Sequence, residues 1–166
     1  MIEGMDALLR ELNRLENLSL KKPIEEATQL VQGTAKSLCR RNSGELSESI
    51  MISTNEVNGC AAGVCYTNKR YAPYVELGTG PKGQTNHEGI SPDVPVAYTQ
   101  TPWWIHESMV DKETAEKYHW FKLETNKGVF YQCTGQPARP FLYPALKNNE
   151  ERIKQIMTNG VKEALK

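Results

Sequence analysis

Apolar residues recur at spacings of three and four at the two ends of this chain, which places amphipathic helices at the termini and leaves strands and loops for the middle. At the N-terminal end the stripe is Ile2, Met5, Leu8, Leu9, Leu12 and Leu15. A break at Asn17 to Ser19 precedes Pro23, a residue suited to a first helical turn, and Glu25 and Glu26 favour a helix N-terminus. A second helix is expected to run to about Cys39, with Ile24, Ala27, Leu30, Val31, Ala35 and Leu38 on one face and Gly33 and Thr34 as weak points. Residues 1–40 therefore read as a helical part. At the other end, residues 143–166 read as one helix beginning near Pro144, with Leu146, Ile153, Ile156, Met157, Val161, Ala164 and Leu165 as its stripe and Gly160 interrupting it. Core packing explains such stripes, and a first helix that projects to bind a partner is the alternative.

Between the ends the signals are those of strands. Arg40 to Gly44 reads as a turn, and Leu46 to Val57 as a strand in which Ile50 and Ile52 alternate with Met51 and Ser53. Asn58-Gly59 is a strong turn dipeptide, so Cys60 to Thr67 is expected to return as the second strand of a hairpin. Tyr71 to Leu77 reads as a short helical turn ending at Gly78. Residues 80–101 hold several prolines and glycines without a sustained period and read as a long loop, either a binding element or a tolerated insertion. Trp103 to Ile105 and Gly128 to Cys133 complete the sheet, with Val129, Tyr131 and Cys133 on one face and Phe130 and Gln132 on the other. The polar stretch between them, Asp111 to Asn126, could be helical at its start. The expectation is a single α+β domain over 1–166, with N-terminal helices and a C-terminal helix packed on a small, mostly antiparallel sheet. A chain of this length buries roughly 70% of the surface its unfolded form exposes.

Lysine plus arginine number 20 and aspartate plus glutamate number 20, so no long-range field points to nucleic acid or a membrane surface. The first residues, MIEGMDALLRELNR, have acidic side chains and helical spacing where an export signal would have a basic start and an unbroken apolar run. No uncharged stretch approaches the ~20 apolar residues that cross a bilayer. Cys39, Cys60, Cys65 and Cys133 are accordingly expected as reduced thiols. Cys60 and Cys65 lack metal-finger spacing, and His87, His106 and His119 form no pair four apart, so neither metal nor cofactor is expected.

The run Gly78-Thr79-Gly80-Pro81-Lys82-Gly83-Gln84-Thr85 comes near a phosphate-binding loop but places Gln84 where the phosphate-reaching lysine belongs. No nucleophile elbow occurs, and the pairs His87-Glu88 and His106-Glu107 are adjacent residues whose side chains diverge. Trp103, Trp104, His119 and Trp120 could stack on a sugar or a single strand, although clustered cations to track phosphates are lacking. A small hydrolase and a nucleic-acid-binding module are the alternative readings to a non-enzymatic protein.

Two segments carry a resemblance. Tyr71-Ala72-Pro73-Tyr74-Val75-Glu76-Leu77-Gly78-Thr79-Gly80 and Gly135-Gln136-Pro137-Ala138-Arg139-Pro140-Phe141-Leu142-Tyr143-Pro144-Ala145-Leu146 resemble the signature of siphophage and prophage minor structural proteins, the neck or tail-completion proteins that join head and tail. Ser43-Gly44-Glu45-Leu46-Ser47-Glu48-Ser49-Ile50 before them and a terminal helix after them fit the same order, while residues 81–127 are longer and richer in proline and tryptophan than in the simplest members. The resemblance implies a virion-assembly role without catalytic residues, self-association into a ring, docking on connector and tail proteins, and assembly in a bacterial host's cytoplasm. It marks Tyr74, Glu76, Gly78, Gly80, Arg139, Pro140, Phe141 and Pro144 as structural. Glu76 and Arg139 are expected to pair across the two segments. Lys82, His87, Trp103 and Trp104 are the candidate interface residues.

Overall fold

The computed structural model describes residues 5–16, 19–40, 43–57 and 60–165, and it shows an α+β fold. In chain order the elements are α1 (Met5–Glu16), α2 (Lys21–Leu38), α3 (Glu45–Glu48), β1 (Ile50–Val57), β2 (Cys60–Thr67), α4 (Ala72–Leu77), α5 (Gly80–Thr85), β3 (Trp103–His106), α6 (Lys112–Lys117), β4 (Phe121–Thr125), β5 (Gly128–Cys133), α7 (Leu142–Lys147) and α8 (Glu150–Ala164). They form two compact units, Met1–Lys69 with Phe141–Lys166, and Arg70–Pro140. The second is thus inserted into the chain of the first, between β2 and α7. The sheet expected as one is two, an antiparallel pair β1-β2 and an antiparallel triplet ordered β3-β5-β4.

In the first unit α2 packs on the β1-β2 hairpin. Ala27, Thr28, Val31 and Ala35 make its buried face, and their small size brings the helix close to the strands. Closest of all is Gly63, where an added Cβ would stand 1.9 Å from Thr28 Oγ1. Gln32 Nε2 donates to Ile50 O at 2.8 Å, tying the helix to the first residue of β1. The strands pair from Ile50↔Thr67 to Val57↔Cys60, as a two-residue hairpin connection requires. The turn dipeptide Asn58-Gly59 lies outside the described residues, as do Ile2, the first part of the break at Asn17 and the side chain of Leu15.

Several expectations are corrected here. The strand placed from Leu46 begins at Ile50, because Glu45–Glu48 form a helical turn that buries Leu46 and Ser47. Ser47 Oγ donates to Lys36 O at 3.2 Å, a bond to the last turn of α2 that an extended segment would not make. Glu25 and Glu26 fall beyond the first turn of α2, which begins at Lys21. The terminal helix is two helices. Between them Asn149 Nδ2 donates to Ala145 O at 2.8 Å and to Thr34 Oγ1 at 2.9 Å, so an asparagine side chain ties the break to α2. Gly160 is more than an interruption: its missing Cβ would meet Pro23 Cγ at 2.2 Å, and α8 approaches α2 there. Finally, among the described residues the apolar stripe of α1 is exposed. Leu8 is 56% and Leu9 50% exposed, with Met5 and Leu12 similar.

The odd separation of Cys60 and Cys65 does send them apart: Cys60 is exposed and Cys65 is half-buried. Burial pushes the Cys65 thiol above its ordinary pKa, outweighing the nearby Lys36 cation. A raised pKa leaves less thiolate at a given pH. Iodoacetamide should therefore modify Cys60 first near neutrality and reach Cys65 only as pH rises past the range of an ordinary thiol, which peptide mass mapping across pH will show.

The second unit corrects the middle of the chain. The loop placed at 80–101 begins as a helix, α5, with Pro81 in its first turn, and only the stretch beyond Thr85 is irregular. The polar stretch opens with α6, whose first turn is capped by the Asp111 carboxylate accepting from Thr114 N at 2.7 Å. It then yields a strand, β4, which sequence reading missed. In the triplet Tyr131 and Cys133 are buried on the expected face, and Phe130 and Gln132 take the other.

Candidate functional site

The two motif segments meet within the second unit, and they meet main chain to main chain. Thr79 and Gln136 form an isolated antiparallel bridge, Thr79 N donating to Gln136 O at 2.9 Å and Gln136 N to Thr79 O at 3.1 Å. Around it Lys82 N donates to Thr134 O (3.1 Å), Ala138 N to Asn86 O (2.8 Å) and Arg139 N to Val75 O (2.8 Å). Gln136 adds its side chain, Nε2 donating to Tyr74 O at 2.7 Å. Each bond joins residues about fifty to sixty apart in sequence, so the segments act as one clasp.

Glycine makes this approach possible. Gly78 caps α4 at φ 78°, and a Cβ there would lie 2.7 Å from Ala138 N. At Gly80 (φ 60°) a Cβ would strike the Trp103 ring at 2.8 Å. At Gly135 (φ 81°) it would sit 1.9 Å from Thr79 O and 2.5 Å from Thr79 C, inside the backbone of the opposite segment. A left-handed conformation with no room for a side chain is available to glycine alone. Gly83, Thr79 and Gln136 belong to the same clasp, although they are not among the residues the resemblance marks as structural.

Tyr98 closes one side from the irregular segment. Its hydroxyl donates to Leu77 O at 2.7 Å, beside the C-terminus of α4, and desolvation raises its pKa above the ordinary phenol value. Tyr98→Phe should cost about 1 kcal/mol, the usual worth of such a bond, measured as a shift of the urea midpoint at unchanged slope.

The residues expected to be structural therefore fall into place as follows. Gly78 and Gly80 are buried in the clasp, Tyr74 lends its carbonyl, and Pro140 ends the unit. Glu76 is half-buried and Arg139 exposed, and Arg139 N donates to the carbonyl oxygen of Val75, the residue before Glu76. Phe141 and Pro144 belong to the first unit, where Phe141 is 1% exposed and Pro144 sits in the first turn of α7. Of the candidate interface residues, Trp103 is half-buried against Gly80, and Lys82 is exposed on α5. His87 is exposed, stacked on Tyr98 at 5.8 Å, with Nδ1 2.6 Å from Gln84 O.

Trp104 alone of the four lies on an apolar face. The register aligns Trp104, Gln132 and Phe121 across the triplet, and the Trp104 and Phe121 rings stand edge to face at 6.1 Å. Phe121 is 62% exposed, with Leu123 beside it on the same strand face also exposed. Sequence reasoning missed Phe121 and Leu123, though their alternation with Lys122 and Glu124 is the signal of a half-covered strand.

The titratable pairs weighed for chemistry make structural bonds. His106 Nδ1 accepts from Ser108 N at 3.2 Å and its Nε2 lies 3.2 Å from Lys127 O, while Glu107 Oε1 accepts from Val129 N at 3.0 Å. Together they fasten the end of β3 to the start of β5. Among the described residues no three His, Cys, Asp or Glu side chains stand together as a metal site, and no helix is long and apolar enough to cross a membrane. No family model, no curated protein and no solved structure matches the chain.

Proposed function

We propose that this chain is a virion-assembly protein of a tailed phage or prophage, acting in the neck or tail-completion complex by self-association and by docking on connector and tail proteins. The observation that carries the reading is the clasp: the two segments that resemble the phage signature fold against each other through glycines that admit no side chain. Motifs that serve each other's backbone need no catalytic partner, and a pair so linked would be retained or lost together. The apolar strand face of Trp104, Phe121 and Leu123 and the apolar stripe of α1 offer surfaces for docking, since exposed apolar patches mark interaction sites.

Light scattering over a range of concentrations, with electron microscopy of the same samples and capture assays on phage connector and tail-tube proteins, tests this. Rings, or selective capture by either class of protein, are the expected results. A chain that stays monomeric and captures neither would overturn the reading. A hydrolase or nucleic-acid module in its place would turn over ester or peptide substrates, or bind DNA with strong salt dependence.

A further inference from the structure

The first unit holds an apolar groove of about 470 Å³ between α2, β2, α7 and α8. Ile24 and Val31 of α2 form one wall, Leu146 and Met157 stand across from them, and Gly63 and Cys65 of β2 contribute their inward face. The same unit carries a helix whose apolar stripe is unburied, α1 with Met5, Leu8, Leu9 and Leu12. The two match in length. Met5 to Leu12 and Ile24 to Val31 each advance seven residues along a helix, about 10 Å. A groove and a stripe of that kind are the two halves of a helix-in-groove contact.

The chain path decides whose helix fills the groove. Ser19, which leads into α2, lines a different cleft with Lys22, Glu26 and Gly160. By helical angle the α2 residues of that cleft lie roughly 140° around the helix from those of the groove. The seam between the two is shut where Pro23 meets Gly160. Ser19, two residues before α2, thus stands on the far side of the α2-α8 seam from the groove, and four residues link Glu16 to Lys21. We infer that the groove receives the α1 stripe of a second copy of this chain. Exchanged reciprocally, the contact makes a dimer; passed from each copy to the next, it builds a ring or a filament. This rests on the reading of the protein as one that self-associates, and it names the surface that does so.

Two measurements on the full chain test it. In sedimentation, Leu8→Asp with Leu12→Asp should weaken self-association by about a hundredfold, since each leucine withdrawn from an apolar groove forfeits on the order of tenfold. Both side chains are exposed in the single chain, so its far-ultraviolet dichroism should not change. For the geometry, two differently tagged chains are mixed and treated with a short bis-maleimide. One carries Leu9→Cys, Cys60→Ser and Cys65→Ser, and the other Cys60→Ser alone, keeping the groove thiol of Cys65. A cross-linked heterodimer joined at those two positions is expected. Association that survives Leu8→Asp with Leu12→Asp, or a chain bearing both thiols that links only within itself, overturns the exchange and leaves the assembly reading standing. A wild-type chain that remains monomeric overturns the exchange, and the assembly reading then falls only if connector and tail proteins also fail to capture it.

Discussion

Gly135→Ala should open the second unit, lowering its stability by about 3–5 kcal/mol. Two costs combine. Residue 135 holds φ at 81°, where an L side chain adds about 1–2 kcal/mol. Its Cβ would also lie 1.9 Å from the carbonyl oxygen of Thr79, a main-chain atom that cannot swing aside as a side chain can. Relief requires the segments to part, which sacrifices the paired bonds of Thr79 and Gln136 and strains that of Lys82 to Thr134, at about 1 kcal/mol each. All three tryptophans, Trp103, Trp104 and Trp120, lie in Arg70–Pro140, so their fluorescence reports that unit alone. The expected result is a tryptophan transition at much lower urea and rapid amide exchange at Thr79 and Gln136. A fluorescence midpoint within error of wild type would show that the clasp is dispensable.

Phe141→Ala should give the opposite pattern. Phe141 and Ile50 are the largest side chains buried almost completely, each 1% exposed, and both belong to the first unit. Truncating a buried phenylalanine removes its transfer energy and leaves a cavity, at about 3–5 kcal/mol, a large part of the 5–15 kcal/mol that holds a typical domain. The first unit contains the long helices α2 and α8, so the loss will appear as an early fall in helical dichroism while the tryptophan signal persists. If both probes shift together, the two units unfold as one.

The elements readable from sequence were those whose pattern is local. α2 and α8 show a 3.6-residue period, and β5 is a short run of β-branched and aromatic residues, with Tyr131 and Cys133 buried on one face. What escaped depends on distant residues. α5 is written Gly-Pro-Lys-Gly-Gln-Thr, a composition of loops, and its Lys82 N bonds to Thr134 O on another segment. β4 alternates over only Phe121 to Glu124, a signal too short to stand out from the polar residues around it, and the strand is exposed at all five positions. The glycines of the two segments stand out as punctuation, but that Gly135 faces Thr79 cannot be read across 55 intervening positions. The groove escaped for the same reason, its walls coming from residues 24–31, 61–65 and 142–157.

The bond from Arg139 N to Val75 O joins the last residues of the inserted unit to its first helix. For the surrounding unit this changes the effective length of the chain. Bringing α7 back to α2 otherwise means closing a loop of about 70 residues, whereas a folded insert with its ends tied counts as only a few, a difference of about 2 kcal/mol in closure entropy. The insert therefore serves as a staple without a covalent bond. Its interior can lengthen or change sequence freely, provided the two ends still hold each other.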